Sequence, residues 1–457
     1  MKDNKTRKII VAGAGHGGII AGSLLAQHGY DVTIYEKEKE TALGYPWDDD
    51  INESIIKEVG LPPLEPKEYT RKKKVGFASP NRRYHIQTNL PDHLREIAVD
   101  RRLLYRKLFD YARKSNVSIE FECRITGPLI KNGTIAGIQT EKGNSEGDLV
   151  IDACGLHSPI RKKLPESYSI LKEFGKGEIF YTYRAYFNFF NDKGFDENKY
   201  LVYFGFQGLR GIAWYRLEHG QSDVLFGGIE PLSLEKVDIF MQKMREIQPS
   251  CGSELKAGGF LTQIPVRRPL ERFVGENYAA VGDSAAMTMP LMGSGIEYAM
   301  DAGKILAETV IKHDQNREEH GYTTTQLWDY QYEYYLKYGA QAFATEYLKM
   351  YLMTTPWEDV NFVFEKGLIS AKEMEASMLR QNVVIPFIDL LGRAMRSFSR
   401  LGVLINLKSA ADSMKTLKSL ALRIPKQYDP QKIAAWSEQI QTKFRPFLDI
   451  LNRPDFK

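Results

Sequence analysis

At 457 residues the chain is too long for one ordinary core, so two or three structural units are expected. Hydrophobic residues at 43% and charged residues at 26% are the proportions of a soluble globular protein, and a net charge of only +4 argues against general nucleic-acid binding. The three cysteines, Cys123, Cys154 and Cys251, lie far apart, which disfavours a disulfide framework or a metal site and fits a reducing, cytoplasmic setting. The 25 tyrosines and 23 phenylalanines point either to a large apolar or stacking surface or to a well-filled core. Met1 to Lys8 is charged and runs straight into a strand, so no secretory leader is expected, and no run of about 18 apolar residues could span a bilayer.

The opening reads as strand, turn, helix, strand. Ile9-Ile10-Val11 suits a buried parallel strand, Gly13 to Gly18 is a tight turn, and Ile19, Ile20, Leu24 and Leu25 recur at helical spacing until Gly29. Asp31 to Glu36 is the second strand, completing a βαβ unit. From Glu38 to Leu90 five prolines break regularity, and the basic run Arg71-Lys72-Lys73-Lys74 reads as a solvated face. Val99 to Lys114 is an amphipathic helix, Ile119 to Gln139 holds strands joined by a Lys131-Asn132-Gly133 turn, and Asp148 to Ala153 is a buried strand. Between residues 178 and 230, short aromatic-rich strands predict an antiparallel sheet, followed by a helix from Leu234 to Ile247. A strand at Tyr278 to Val281 and a helix from about Gly295 to Lys312 resume the first pattern, and the remainder reads as helical.

In the turn Gly13-x-Gly15-x-x-Gly18, the first glycine permits the sharp reversal, the second lets backbone approach a pyrophosphate, and the third lets helix and strand pack closely. The helix N-terminus offers unpaired N–H groups and a positive dipole end to the phosphates. Glu36 closes the second strand about 20 residues on, where a carboxylate can accept ribose hydroxyls. This unit alone does not separate NAD from FAD.

Three further segments do. Asp100-Arg101-Arg102 opening a helix, Asp152-Ala153-Cys154-Gly155-Leu156-His157-Ser158, and Gly282-Asp283-Ser284-Ala285 running through Pro290 to Gly293-Ser294-Gly295-Ile296 resemble the FAD-binding family of para-hydroxybenzoate hydroxylase-type monooxygenases and geranylgeranyl reductases. The resemblance implies an α/β fold: a Rossmann-like FAD-binding domain (1–42, 92–165 and 270–312) interrupted by an antiparallel β-sheet substrate domain (43–91 and 166–269), plus a helical C-terminal region (313–457). It further implies FAD contacts from Gly13, Gly15, His16, Gly17, Gly18, Glu36, Lys37, Arg101, Gly155, Gly282, Asp283, Pro290, Gly293, Ser294, Gly295 and Ile296. Arg101 fits the family's FAD-contacting arginine, with Arg102 next in line. Cys154 stands where the family has an aspartate, and a small buried residue is the simpler reading of it than a redox thiol.

Gly211 to Arg216, Ile264 to Leu270, Leu327 to Tyr330 and Tyr338-Gly339 resemble the geranylgeranyl reductase branch in particular. That implies hydride transfer from reduced flavin to carbon–carbon double bonds of an isoprenoid or other apolar, lipid-like substrate. A flavin monooxygenase or a non-catalytic lipid-binding flavoprotein are the alternatives on the same fold. Arg216-Leu217 departs from the branch's Phe-Pro, and Gly44 to Ile51 lacks its cysteine. The acidic residues Asp48, Asp49 and Asp50 in that segment either approach the flavin or cap the next helix. No catalytic residue is assigned; Asp48, Asp49 and His157 are the conceivable proton donors, and Tyr181, Tyr183 and Trp214 are candidate substrate contacts or core. No metal site is expected. With no second glycine turn, electrons would come from an external donor such as NADPH or ferredoxin, so a donor protein is a further candidate partner. The basic, apolar-interleaved stretch 391–426 either docks on the catalytic body or touches the cytoplasmic face of a membrane.

Overall fold

In a computed structural model of the chain, which describes residues 6–191, 196, 199–314, 321–379, 392–393, 396–454 and 456, the first apolar run becomes the strand Lys8–Ala12. It lies inside a six-stranded sheet, between Asp31–Tyr35 and Leu149–Asp152, with Ser118–Glu120 and Tyr278–Ala280 extending the parallel set. Ile9, Ile10, Val11, Val150 and Ile151 have no exposed surface, as a sheet covered on both faces requires. The last parallel strand arrives after a long excursion. Its carboxyl end brings Gly282 and Asp283 beside the turn after the first strand, where open α/β sheets bind ligands.

Gly13 holds φ +88°, and a Cβ there would lie 2.7 Å from the Ala153 carbonyl oxygen, so the turn accepts no side chain. The helix His16–Gln27 then meets the helix Ile296–Asp314 at near-backbone contact: a Cβ on Gly303 would sit 2.1 Å from the Gly17 oxygen. That crossing locks the distant signature helix onto the first turn.

The helix predicted from Val99 starts two residues later, as Arg101–Lys114. Asp100 caps it by accepting from the Leu103 N–H at 2.7 Å, and the buried Ile97 and Val99 belong instead to a strand, Ile97–Asp100. That strand pairs with Asp48–Ile51 and Tyr69–Arg71 in a small antiparallel sheet.

The aromatic-rich segments form a seven-stranded sheet ordered Cys251–Pro265, Ile179–Phe189, Gln221–Gly228, Gly211–Glu218, Lys199–Phe204, Lys74–Ala78 and His85–Gln87. All pairs are antiparallel except Lys199–Phe204 with Lys74–Ala78. Successive side chains point to opposite faces. One face, with Tyr183, Ala185, Phe187, Tyr215 and Phe226, packs on Val237, Phe240, Met241 and Met244 of the helix Leu234–Ile247. The other carries Thr182, Arg184, Tyr186, Trp214, Arg216 and Asp223, and turns toward the nucleotide sheet.

The C-terminal region is helical. Within 391–426, whose first residue lies outside the described set, the helix Leu401–Ala421 docks on Ala340–Thr354 and buries Val403, Ala410, Leu417 and Leu420, leaving Leu401 and Ile405 exposed. Two of its basic residues serve tertiary contacts: Arg393 pairs with Glu373 at 2.9 Å and Arg400 with Asp359 at 2.5 Å. No helix among the described residues is long and apolar enough to cross a membrane.

Candidate flavin and substrate site

The nucleotide end is assembled largely from backbone. Glu36, next to the strand Asp31–Tyr35, accepts N–H bonds from Ala14 at 2.8 Å and Glu38 at 2.9 Å. It is buried and, among the described residues, has no cationic partner. The helix His16–Gln27 starts with no side-chain cap and no acid in its first turn, so its dipole and N–H groups remain open to an anion. The His16 Nε2 is buried without a hydrogen-bond partner, and burial together with Arg101 lowers the His16 pKa to about 3. Gly155 holds φ +79° with open space in its Cβ direction, and its N–H is donated to the Ser284 hydroxyl at 2.8 Å. An uncapped helix, an orphaned imidazole, an unpaired carboxylate and an open glycine are what a dinucleotide would complete, and the residues present fit FAD.

The remaining positions read from the sequence lie on or next to the same turns and helices. Gly15, Gly17 and Gly18 lie at the helix start, and Lys37 pairs at the surface with Glu38. Gly282 holds φ +65°, and burial raises the pKa of Asp283 although Thr288 donates to it at 2.9 Å. Pro290 is buried, the Met289 N–H bonds the Ser294 carbonyl at 2.7 Å, and Gly293 (φ +68°) turns the loop into Gly295 and the helix at Ile296. The Cys154 thiol donates to the Ala12 carbonyl at 3.2 Å, and burial pushes its pKa well up, which makes it inert.

Asp48, Asp49 and Asp50 cap no helix. They lie in the strand Asp48–Ile51, and each finds a basic partner: Asp49 bonds Arg101, Asp48 lies 2.7 Å from His219 Nε2, and Asp50 is 3.1 Å from both Arg216 and Lys72. Behind them Arg184 grips Asp223 with two bonds at 3.0 and 2.7 Å, donates to the Asp48 carbonyl at 2.8 Å, and reaches the Tyr186 hydroxyl at 3.1 Å. Arg216 joins the same aspartate at 2.7 Å. Burial opposes charge on Asp223, but the two guanidinium groups outweigh it and hold the carboxyl below its usual range. Lys72, expected in a solvated run, is mostly withdrawn from solvent instead, because Asp50 and Glu96 compensate its charge. Asp48, Glu218 and His219 offer ligand atoms within 4.8 Å of one another, yet Arg216 neutralises Glu218 at 3.3 Å.

Between this network and the flavin seat stands an aromatic wall. Tyr45 stacks on Trp47 with centroids 4.5 Å apart, and Trp47 lies 5.3 Å from Phe260. Arg101 covers Tyr45 at 4.8 Å, while Arg184 lies 5.4 Å from the Trp47 ring and 5.2 Å from the Trp214 ring. On the same strand as Phe260, Ile264 approaches Gly293 of the flavin loop. Trp214 thus sits behind Arg184, and Tyr183 lies on the opposite face, stacked at 6.5 Å on Phe226; Tyr181 shares its parity. Trp47, Phe260 and Arg184 were not singled out from sequence. Tyr45-Pro46-Trp47 carried a visible aromatic signal, whereas Phe260 and Arg184 depend on strand parity and long-range pairing. His157 is exposed at the edge, 3.0 Å from Gln263.

A family model for an NAD(P)-binding Rossmann-like domain matches residues 11–45. A digeranylgeranylglycerophospholipid reductase of Sulfolobus acidocaldarius is 21% identical over 453 residues, covering 96% of this chain and 97% of that protein. A geranylgeranyl bacteriochlorophyll reductase-like structure from Thermoplasma acidophilum superposes with a TM-score of 0.69 at 16% identity, covering 89% of this chain and 99% of the other. Over nearly its whole length the chain is thus similar to FAD-dependent oxidoreductases of the geranylgeranyl reductase type. Its fold is also that of a flavin-dependent brominase, with a TM-score of 0.61 at 14% identity, covering 90% of this chain and 100% of that one. The interrupted nucleotide fold is therefore common to several flavin chemistries, and the residues over the flavin seat distinguish them.

Proposed function

We propose that this oxidoreductase reduces carbon–carbon double bonds of an isoprenoid or other apolar, lipid-like substrate, with electrons from an external donor such as NADPH or ferredoxin. The carrying observation is the wall Tyr45–Trp47–Phe260, which spans from Arg101 to the strand that meets the Gly293 loop. FAD, when bound, supplies a reducible ring able to pass a hydride to carbon. The chain's own part is to present an apolar face beside that ring and to bring a proton to the second carbon. Trp47 and Phe260 form the face, and Arg184 fixes Trp47 through the neighbouring Asp48 carbonyl. Among Asp48, Asp49 and His157, Asp48 suits the proton role best: it is buried, and the half-exposed His219 links it to solvent. In this reading 1–42, 92–165 and 270–312 hold FAD, 43–91 and 166–269 hold substrate, and 313–457 closes the assembly. Anaerobic incubation of the chemically reduced holoprotein with a polyprenyl lipid should yield lipid heavier by two hydrogens per reduced bond. Unchanged lipid, with oxygenated product appearing only in air, would overturn the proposal.

A further inference from the structure

A polyprenyl chain is nearly insoluble in water, so the reading above requires a path by which it reaches the aromatic wall without being solvated. Four of the exposed apolar side chains among the described residues lie where such a path would begin. Leu255, Phe260 and Leu261 are 51%, 37% and 42% exposed on the strand Cys251–Pro265, the outer edge of the seven-stranded sheet, where Phe260, opposite Arg184, faces the wall side and Leu255 and Leu261, opposite Phe187 and Tyr183, line the other side of the same edge. Tyr45, 39% exposed, extends the patch with its ring 5.7 Å from that of Phe260. The strand bulges at Gly258 and Gly259, both at positive φ, and Leu255 folds back over Gly259. A bulge and the ion pair Lys256–Glu254 discourage another strand from pairing along this edge, while the leucines remain uncovered.

Cations flank the same patch. Arg102 lies against Gly44, next to Tyr45, and Arg106 follows one helical turn later. Both are exposed, and among the described residues neither guanidinium has an ion-pair or hydrogen-bond partner. Apolar side chains able to enter an acyl boundary, beside uncompensated arginines able to meet phosphates, complement an anionic lipid surface. The helix Leu401–Ala421, by contrast, has much of its apolar stripe already docked.

We infer that the Tyr45–Phe260–Leu261–Leu255 edge, flanked by Arg102 and Arg106, is the face on which the protein rests on an anionic lipid surface and through which an isoprenoid chain passes to the wall. The inference takes its purpose from the lipid-substrate reading, but its test needs no turnover. Holoprotein is floated at low salt with vesicles of phosphatidylcholine, with and without phosphatidylglycerol. The wild type should float with the anionic vesicles and be released by salt. Leu255→Glu/Leu261→Glu should lower the bound fraction by about tenfold, and Arg102→Glu and Arg106→Glu by about fivefold each, while Ile405→Glu leaves it unchanged. Wild type that does not float, edge variants that float as well as wild type, or loss confined to Ile405→Glu would each overturn the inference. So would a solution dimer dispersed by the edge variants, since that assigns the edge to a second copy. Turnover of detergent-dispersed polyprenyl lipid by wild type tests the substrate reading separately, because it requires no vesicle.

Discussion

At the proposed flavin seat the groups on offer are mainly backbone: a glycine turn, an uncapped helix end, and one carboxylate that bonds two N–H groups. Across the aromatic wall the reverse holds. There the sheet face is stocked with buried Arg184, Arg216 and Asp223, which pair with one another and, through Arg216, with the partly buried Asp50 that Lys72 also holds. The seat is thus sensitive to added atoms and tolerant of lost charge, whereas the opposite face should tolerate volume changes better than the loss of a charge. A buried charge stripped of its partner is far costlier than the pair was favourable.

The largest effect is expected where the comparison is sharpest. Gly13→Val would combine a disfavoured φ with a Cβ held 2.7 Å from the Ala153 oxygen, and should weaken FAD binding at least about a hundredfold in a titration of apoprotein. Next, Arg184→Met leaves Asp223 with Arg216 alone and frees the Asp48 carbonyl. It should destabilise the protein by about 3–5 kcal/mol in urea unfolding, with Arg184→Lys recovering part of that. A loss of FAD equal to that of Gly13→Val would erase the distinction between the two regions. Trp47→Ala should raise KM for a polyprenyl substrate about tenfold with a smaller effect on FAD affinity, because it removes the middle ring of the wall.

The smallest effect concerns pH. The hydrogen bond that His219 donates to Asp48 raises its pKa above 6.5, against the opposing effect of burial. Its contribution to stability is therefore fully present below about pH 6.5 and fades as pH rises through the raised folded value. Wild type should lose slightly more melting temperature than His219→Gln between mildly acidic and mildly alkaline buffer. Equal slopes would remove His219 from the network.

The backbone geometry of the proposed seat was largely legible because its determinants are local. Gly13 to Gly18, Glu36 and the stretch Gly282 to Gly295 each carry their geometry in a few consecutive residues, and glycine spacing reports backbone shape directly. The charged face was not legible. Asp50 finds Arg216 and Lys72 only after the small sheet folds against the large one, so Asp48 to Asp50 remained divided in sequence between flavin contact and helix cap. Aromatic richness signalled a sheet but not its facing: a period of two sends Tyr183 to the helix side and Arg184 toward the wall, and the intensity of the pattern does not say which parity points inward. The stretch 391–426 shows the same limit, since an amphipathic stripe looks alike whether a membrane or a neighbouring helix covers it.

In the proposed function, the wall beside the flavin seat receives an isoprenoid chain for reduction. The most direct test is stopped-flow absorbance of the reduced holoprotein mixed anaerobically with a detergent-dispersed polyprenyl lipid. Flavin should reoxidise at a rate that saturates with lipid, and Trp47→Ala should require about tenfold more lipid for the same rate. Flavin that stays reduced with lipid, and reoxidises only when oxygen is admitted with a hydroxylated product, would contradict the account.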